Sequence, residues 1–221
     1  MTAASQLHRV LLVEDHPMFR DHLAALIRRE LGLEVCGETD NIRDAIALIE
    51  QHNPHLIILD MTLRGSSGLE LIKDIRSRGL GCQVLVLSMH DENLYAERAL
   101  RAGALGYVCK NETSSEVIRA IRAVLEGRVH VSDSMNAKLL ARMAGGGKKT
   151  VLGGLDRLAD REIEVFHLLG RGLSTREIAG RLALGESTVE TYRARIKEKL
   201  NLRSAAELYL RAGEWVRENG G

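Results

Sequence analysis

The composition of this 221-residue chain, 45% hydrophobic and 28% charged, predicts a soluble globular protein with room for one large or two modest domains and excludes disorder as its default state. With 31 Lys and Arg against 30 Asp and Glu the formal net charge is +1, so any affinity for nucleic acid has to come from a local patch. The longest apolar run near the N-terminus, Val10 to Val13, is too short for a signal-peptide core, and no later stretch approaches the roughly 20 residues of a membrane span, which predicts a cytoplasmic protein without a membrane partner. Cys36, Cys82 and Cys109 lack C-x-x-C spacing and read as reduced packing residues.

In chain order, the first element is the run "VLLV", a buried strand that stops at two adjacent carboxylates, Glu14 and Asp15. Asp15 or His16 is placed to cap a following helix with Pro17 at its first position, which accounts for one acid and not for both. Four further strands follow, "LEVCGE", "HLIILD", "CQVLVLS" and "ALGYVCK", each separated from the next by a helical pattern of crossover length. The near-continuous apolar runs suit inner parallel strands, whereas "LEVCGE" alternates and suits an edge. Residues 1–130 are therefore expected to form a flavodoxin-like α/β domain, a doubly wound five-stranded parallel sheet. Residues 131–154 break this pattern with a short helix and Gly145, Gly146 and Gly147, a flexible linker. Residues 155–221 carry no strand signal and read as an all-α domain of four helices, with breaks near Gly172, Gly185 and Asn201. Ser174 with Glu177 forms a capping box at the second helix, whereas the first has Ala159 at its cap position and would fray unless Asp160 substitutes.

Ligands of open parallel sheets sit beyond the carboxyl ends of the strands. Those ends are Glu14 and Asp15, Asp60, Ser88 and Lys110. One Asp after a strand is ordinarily a turn residue and one Lys ordinarily a solvated one; chance rarely places such residues together at four strand ends. Clustered carboxylates raise one another's pKa unless a cation joins them, and an all-oxygen set suits Mg²⁺. Asp60 is then a nucleophile toward a phosphoryl donor, with Lys110 and Ser88 on the phosphoryl oxygens.

A second constellation lies between Ser174 and Leu200, a helix, turn and helix with Gly185 at the turn. On the second helix Val189, Ile196 and Leu200 form an inner stripe, so Thr188, Thr191 and Arg195 face outward. Arg193, Arg195, Lys197, Lys199 and Arg203 stand against the single acid Glu198, the local basic patch that the whole-chain charge conceals. The candidate DNA contacts are Ser187, Thr188, Glu190, Thr191, Arg193, Arg195, Lys197 and Lys199.

The segments "VEDHP", "LIILDMTLRGSSGLELI", "VLVLSMHDE", "RALRAGALGYVCK" and "STREIAGRLALGESTVETYRARIKEKL" resemble the NarL/FixJ subfamily of two-component response regulators, a receiver followed by a LuxR-type helix-turn-helix. The resemblance implies that Asp60 is the phosphoacceptor, served by a sensor histidine kinase. It implies that Asp15 ligates Mg²⁺ directly, that Glu14 assists, often through water, and that the Thr62 carbonyl adds a ligand. Ser88 and Tyr107 become a coupled switch pair. The output would bind double-stranded promoter DNA as a homodimer when phosphorylated or DNA-bound, with RNA polymerase as a further partner, and the chain would be no enzyme beyond assisting its own phosphorylation and dephosphorylation. Two departures stand out: Arg64 and Asn111 occupy positions that are proline in many receivers, so the isomer of the Lys110–Asn111 bond stays open. In the last helix Leu208, Trp215 and Val216 serve either dimer contact or packing within their own domain.

The alternative from another class is a flavodoxin-like aspartyl-phosphate enzyme whose helical tail only oligomerises it. "EDHPMF" has no glycines to cradle a cofactor phosphate, and no second general acid follows Asp60 at short spacing. The basic helix disfavours an RNA-binding antiterminator, and 3% aromatic content disfavours an autoinducer receptor.

Overall fold

A computed structural model describes residues 7–63, 66–89, 92–143 and 154–219. The chain divides into two compact units, Met1–Leu139 and Leu140–Gly221.

The first unit runs β1 (His8–Val13), α1 (Pro17–Arg28), β2 (Leu33–Thr39), α2 (Ile42–His52), β3 (Leu56–Asp60), a short hairpin of β4 (Thr62–Leu63) and β5 (Ser66–Ser67), α3 (Gly68–Ser77), β6 (Gln83–Ser88), α4 (Glu92–Ala102), β7 (Gly106–Cys109) and α5 (Ser114–Leu125). The main sheet has the order β2-β1-β3-β6-β7, all parallel. Order reverses between β1 and β3, which places a crevice at their carboxyl ends. Val10–Val13 and Leu56–Leu59 are at most 2% exposed, so the two central strands are core on both faces. The alternating strand β2 lies at the edge, as its pattern predicts.

The other edge, β7, reads in the sequence as an inner strand, and a covering segment explains why. The Tyr107 N–H donates to the His130 carbonyl and the His130 N–H to the Leu105 carbonyl, both at 2.9 Å, forming a parallel bridge beside β7. The β4–β5 hairpin is too short for a periodic signal. Helix α1 begins at Pro17 with His16 at the cap position, yet no side chain makes a capping bond there. The peptide bonds of the described residues are all trans, including Lys110–Asn111.

Helix α6 (Asp133–Met143) spans the division between the units, and the expected linker glycines 145–147 lie outside the described residues. The second unit holds a 3₁₀ turn (Leu155–Arg157), α7 (Asp160–Gly170), α8 (Thr175–Leu182), α9 (Glu186–Lys199) and α10 (Ala205–Asn219). Ser174 and Glu177 form the expected capping box. At α7 Glu162 supplies a cap: its Oε2 accepts from the Ala159 N–H at 2.7 Å.

Helices α7 and α10 cross closely, since a Cβ on Gly170 would stand 2.4 Å from the Ala212 carbonyl oxygen. Trp215 meets Phe166 and His167 edge-on at 6.5 and 6.0 Å between ring centroids, and Leu208 is fully buried. Leu208 and Trp215 therefore pack within their own domain, the second of the two roles that the sequence leaves open, and Val216 is half-buried.

The turn between α8 and α9 contains Ala183 in the left-handed region, at φ 53°. An L residue with a Cβ is strained there, and glycine is not. Ala183→Gly should stabilise the second unit by about 0.5 to 1 kcal/mol after the entropy that glycine adds to the unfolded chain. Chemical denaturation of the two proteins checks this, with a higher midpoint expected for the variant.

Candidate functional site

The carboxyl ends of the strands bring the expected residues together. Glu14 follows β1, where its N–H donates to the Thr39 carbonyl, Asp60 ends β3, Ser88 ends β6, and Lys110 follows β7 with its N–H on the Ser88 carbonyl. Lys110 Nζ donates to Glu14 Oε2 at 2.7 Å and to Asp60 Oδ2 at 2.8 Å. All three side chains are at most 5% exposed. The ammonium also lies 4.7 Å from the centre of the Phe19 ring, so α1 supplies an aromatic wall for a buried cation.

Asp60 accepts a second hydrogen bond at Oδ1 from the Thr62 N–H, 3.1 Å away. Gly68 lets α3 begin against this backbone, since a Cβ there would fall 2.5 Å from the Asp60 carbonyl oxygen. Burial pushes the Asp60 carboxyl up to about 6, against the pull of Lys110 and helped by the charge of Glu14. Ser88 and Tyr107 are buried on neighbouring strands, with Tyr107 in register with Val86 and Ser88 with Cys109. Tyr107 and Ser88 thus lie on one face of the sheet.

One member of the cluster escapes sequence reasoning. His16 Nδ1 stands 3.0 Å from Glu14 Oε1, 2.9 Å from Asp15 Oδ1 and 3.8 Å from Asp60 Oδ2, although the residue is otherwise exposed. A ligand atom from each of Glu14, Asp15, His16 and Asp60 lies within 4.8 Å of the others. The one available sequence signal was the adjacency of His16 to two acids, and it served the helix cap equally well. Three carboxylates face one ammonium, a balance that a divalent cation neutralises, and carboxylate oxygens are the donors that a hard ion such as Mg²⁺ takes. The residues fit such an ion.

On α9 the inner stripe is as expected: Val189 and Ile196 are fully buried and Leu200 is half-buried. Ser187, Thr188, Glu190, Thr191 and Arg195 are exposed. Thr191 Oγ1 donates to the Ser187 carbonyl. Lys197 is half-buried. Two of the basic residues are engaged within the domain. Arg193 Nη1 donates to Thr175 Oγ1 and to Glu190 Oε1. Lys199 Nζ lies 2.7 Å from Glu162 Oε2, the buried carboxylate that also caps α7. The free cationic face of α9 is therefore narrower than charge counting predicts.

Removing one partner of a buried ion pair leaves a charge that water cannot reach. Lys110→Met should destabilise the first unit by about 3 to 5 kcal/mol, read by urea unfolding without added divalent ion. Lys199→Ala should lower the stability of the second unit by about 1 to 2 kcal/mol, because the amine is partly solvated, and the loss should shrink when Glu162→Gln is added.

The response regulator receiver domain model matches residues 10–122, and the model of bacterial regulatory proteins of the luxR family matches residues 156–212. The chain is 38% identical to the virulence factors putative positive transcription regulator BvgA of Bordetella pertussis, over 91% of this chain and 94% of that one. It is 30% identical to the nitrate/nitrite response regulator protein NarL of Escherichia coli, over 95% of this chain and 94% of that one. Among solved structures, a LuxR-family two-component response regulator from Aurantimonas sp. superimposes with a TM-score of 0.57 at 32% identity, covering 62% of this chain and 97% of that one. RcsB from Salmonella enterica serovar Typhimurium, bound to promoter rprA, shares the fold with a TM-score of 0.60 at 22% identity, over 93% of this chain and 98% of that one. No helix among the described residues is long and apolar enough to cross a membrane. These matches favour a regulator over an aspartyl-phosphate enzyme with a helical tail. With a receiver at the strand ends and a luxR-type helix-turn-helix behind it, the chain belongs to the response-regulator family and is a two-component transcriptional regulator.

Proposed function

We propose that Asp60 accepts a phosphoryl group from a sensor histidine kinase, and that this modification controls binding of the second unit to promoter DNA. The observation that carries the proposal is the Lys110 ammonium held between Glu14 and Asp60 at the crevice of the sheet. A carboxylate oxygen of Asp60 attacks the donor phosphorus, an acyl-phosphate bond forms, and the bond to the donor imidazole breaks. Glu14, Asp15, Asp60 and the Thr62 carbonyl would hold Mg²⁺, which neutralises charge on the transferred group. Lys110 and Ser88 would contact phosphoryl oxygens, a role supported by the Lys110 ammonium on Asp60 and by the position of Ser88 at the end of its strand, and the Thr62 N–H donates to Asp60. Lys110 then exchanges a carboxylate partner for a phosphoryl oxygen. The receiver does no more than assist its own phosphorylation and hydrolysis, and in this sense the protein is not an enzyme.

The exit from the receiver supports the coupling. Tyr107, the buried partner of Ser88 in the switch, is hydrogen-bonded through its backbone to His130. Two residues on, the Ser132 N–H donates to Glu92 Oε1 at 2.8 Å and its hydroxyl to Glu92 Oε2, at the start of α4. A shift of β7 or α4 is thus delivered to the segment that enters α6. Residues 1–130 act as the receiver, 131–154 as the connection and 155–221 as the output. The output binds DNA as a homodimer, which covers two half-sites, and works in the cytoplasm on promoters that RNA polymerase reads.

Acetyl phosphate or a phosphorylated histidine kinase should label the protein only with Mg²⁺, and Asp60→Asn should abolish the label. Phosphodonor treatment should raise operator affinity by about 5- to 150-fold in wild type and leave Asp60→Asn unchanged. Undiminished labelling of the variant at the same stoichiometry would put the nucleophile elsewhere. For the output, Arg195→Ala and Lys197→Ala should each weaken binding to all duplexes alike and reduce the salt slope by about one. Substituting Thr188 or Thr191 should instead change the preferred sequence in a binding-site selection.

A further inference from the structure

Arg193 and Glu190 are both candidate DNA contacts by sequence, yet the structure gives them different positions. Arg193 Nη1 donates to Thr175 Oγ1 at 2.7 Å and to Glu190 Oε1 at 2.5 Å, and Thr175 Oγ1 donates to the same Glu190 Oε1 at 2.7 Å. The triangle joins the first residue of α8 to α9. Helix α10 closes it, with the Tyr209 ring centre 5.3 Å from the Arg193 guanidinium carbon. The Arg193 side chain is 14% exposed, whereas that of Glu190 is 56% exposed.

The consequence for Glu190 is specific. Its Oε1 has two donors, while Oε2 has no hydrogen-bond partner among the described residues. The carboxylate is fixed at one oxygen and open at the other. It is the fifth residue of α9, in the half of a recognition helix that meets base edges. Ser187, Thr191 and Ala194 lie on the same exposed stripe, at spacings of three and four residues. A free carboxylate on this face would be repelled by phosphates; one paired with a guanidinium from its own helix is partly neutralised.

We infer that Glu190 is a specificity-determining residue that reads cytosine in the major groove, and that Thr175 and Arg193 are positioning residues that aim it. An ionised carboxylate only accepts hydrogen bonds. Among the major-groove edges, guanine offers N7 and O6 and thymine offers O4, all acceptors that repel it, and adenine sets an N7 acceptor beside its amino group. The cytosine N4 amino group is the donor without an acceptor on the same base edge. This inference rests on the DNA-reading role proposed for α9 and narrows it to one base.

The test uses the full-length protein, treated with phosphodonor, in selections from a random duplex library and then in titrations of single-base variants of the selected duplex. Wild type should require cytosine at one position of each half-site, and exchanging that base for thymine should weaken binding about 5- to 150-fold. Glu190→Ala should reduce that ratio to near one while the other positions keep theirs. Glu190→Gln, which preserves shape, should shift the preference toward adenine, because an amide both donates and accepts. Thr175→Val should keep cytosine but with a smaller ratio, an effect confined to one position, whereas a merely structural role would weaken every sequence equally. A cytosine requirement that survives in Glu190→Ala or in Glu190→Gln, or a wild-type site with no such position, overturns the inference and leaves DNA binding intact. Failure of wild type to bind any duplex overturns the DNA-reading role and the inference together.

Discussion

The ammonium of Lys110 is the interaction on which the receiver depends. It joins groups that are 96 and 50 residues away in sequence, and it does so with all three side chains largely buried. Two buried carboxylates repel one another, and the ammonium between Glu14 and Asp60 offsets that repulsion. Each of the three strand ends therefore requires the other two. The apolar runs before them keep the strands in the core, so that their ends reach the crevice with the polar groups already aimed. A site built this way is stabilised by the fold and rigid before any ligand arrives.

Much of this was legible in the sequence, because strand ends are simple objects. A parallel strand buried on both faces is written as an apolar run, and the residue after the run has to face the crevice. Glu14, Asp60, Ser88 and Lys110 were found by that rule, and the structure brings them together. What could not be read depends on rotamers and on distant neighbours. His16 was legible as a cap, but its ring turns toward the acids and leaves the helix without a side-chain cap. Glu162 can serve as a buried cap of α7 because Lys199, on another helix, compensates its burial. The stripe containing Leu208 and Trp215 has the same period whether it meets a second copy or α7, and the contacts of Trp215 with Phe166 and His167 decide between them.

The two units treat charge in opposite ways. The receiver confines its anions to a buried cluster that one lysine holds in place. In the output, a small excess of cations is spread over a helix surface, and part of it is spent internally on Glu162 and on the Thr175–Glu190 pair. Neither arrangement is visible in a net charge of +1. The number of lysines and arginines on α9 thus overstates the charge available to phosphates, and a modest salt slope agrees better with this surface than a steep one.

The bridge between β7 and His130 sets a limit on where the receiver can be cut. A fragment that stops at the end of α5 retains every strand of the sheet but loses the partner of the Tyr107 N–H and the Leu105 carbonyl. Those groups would then line an open border of a nearly all-apolar strand, a template onto which another chain can add. The few residues after α5 thus act as a selvedge that keeps the woven sheet from being extended, and a self-contained receiver has to keep them.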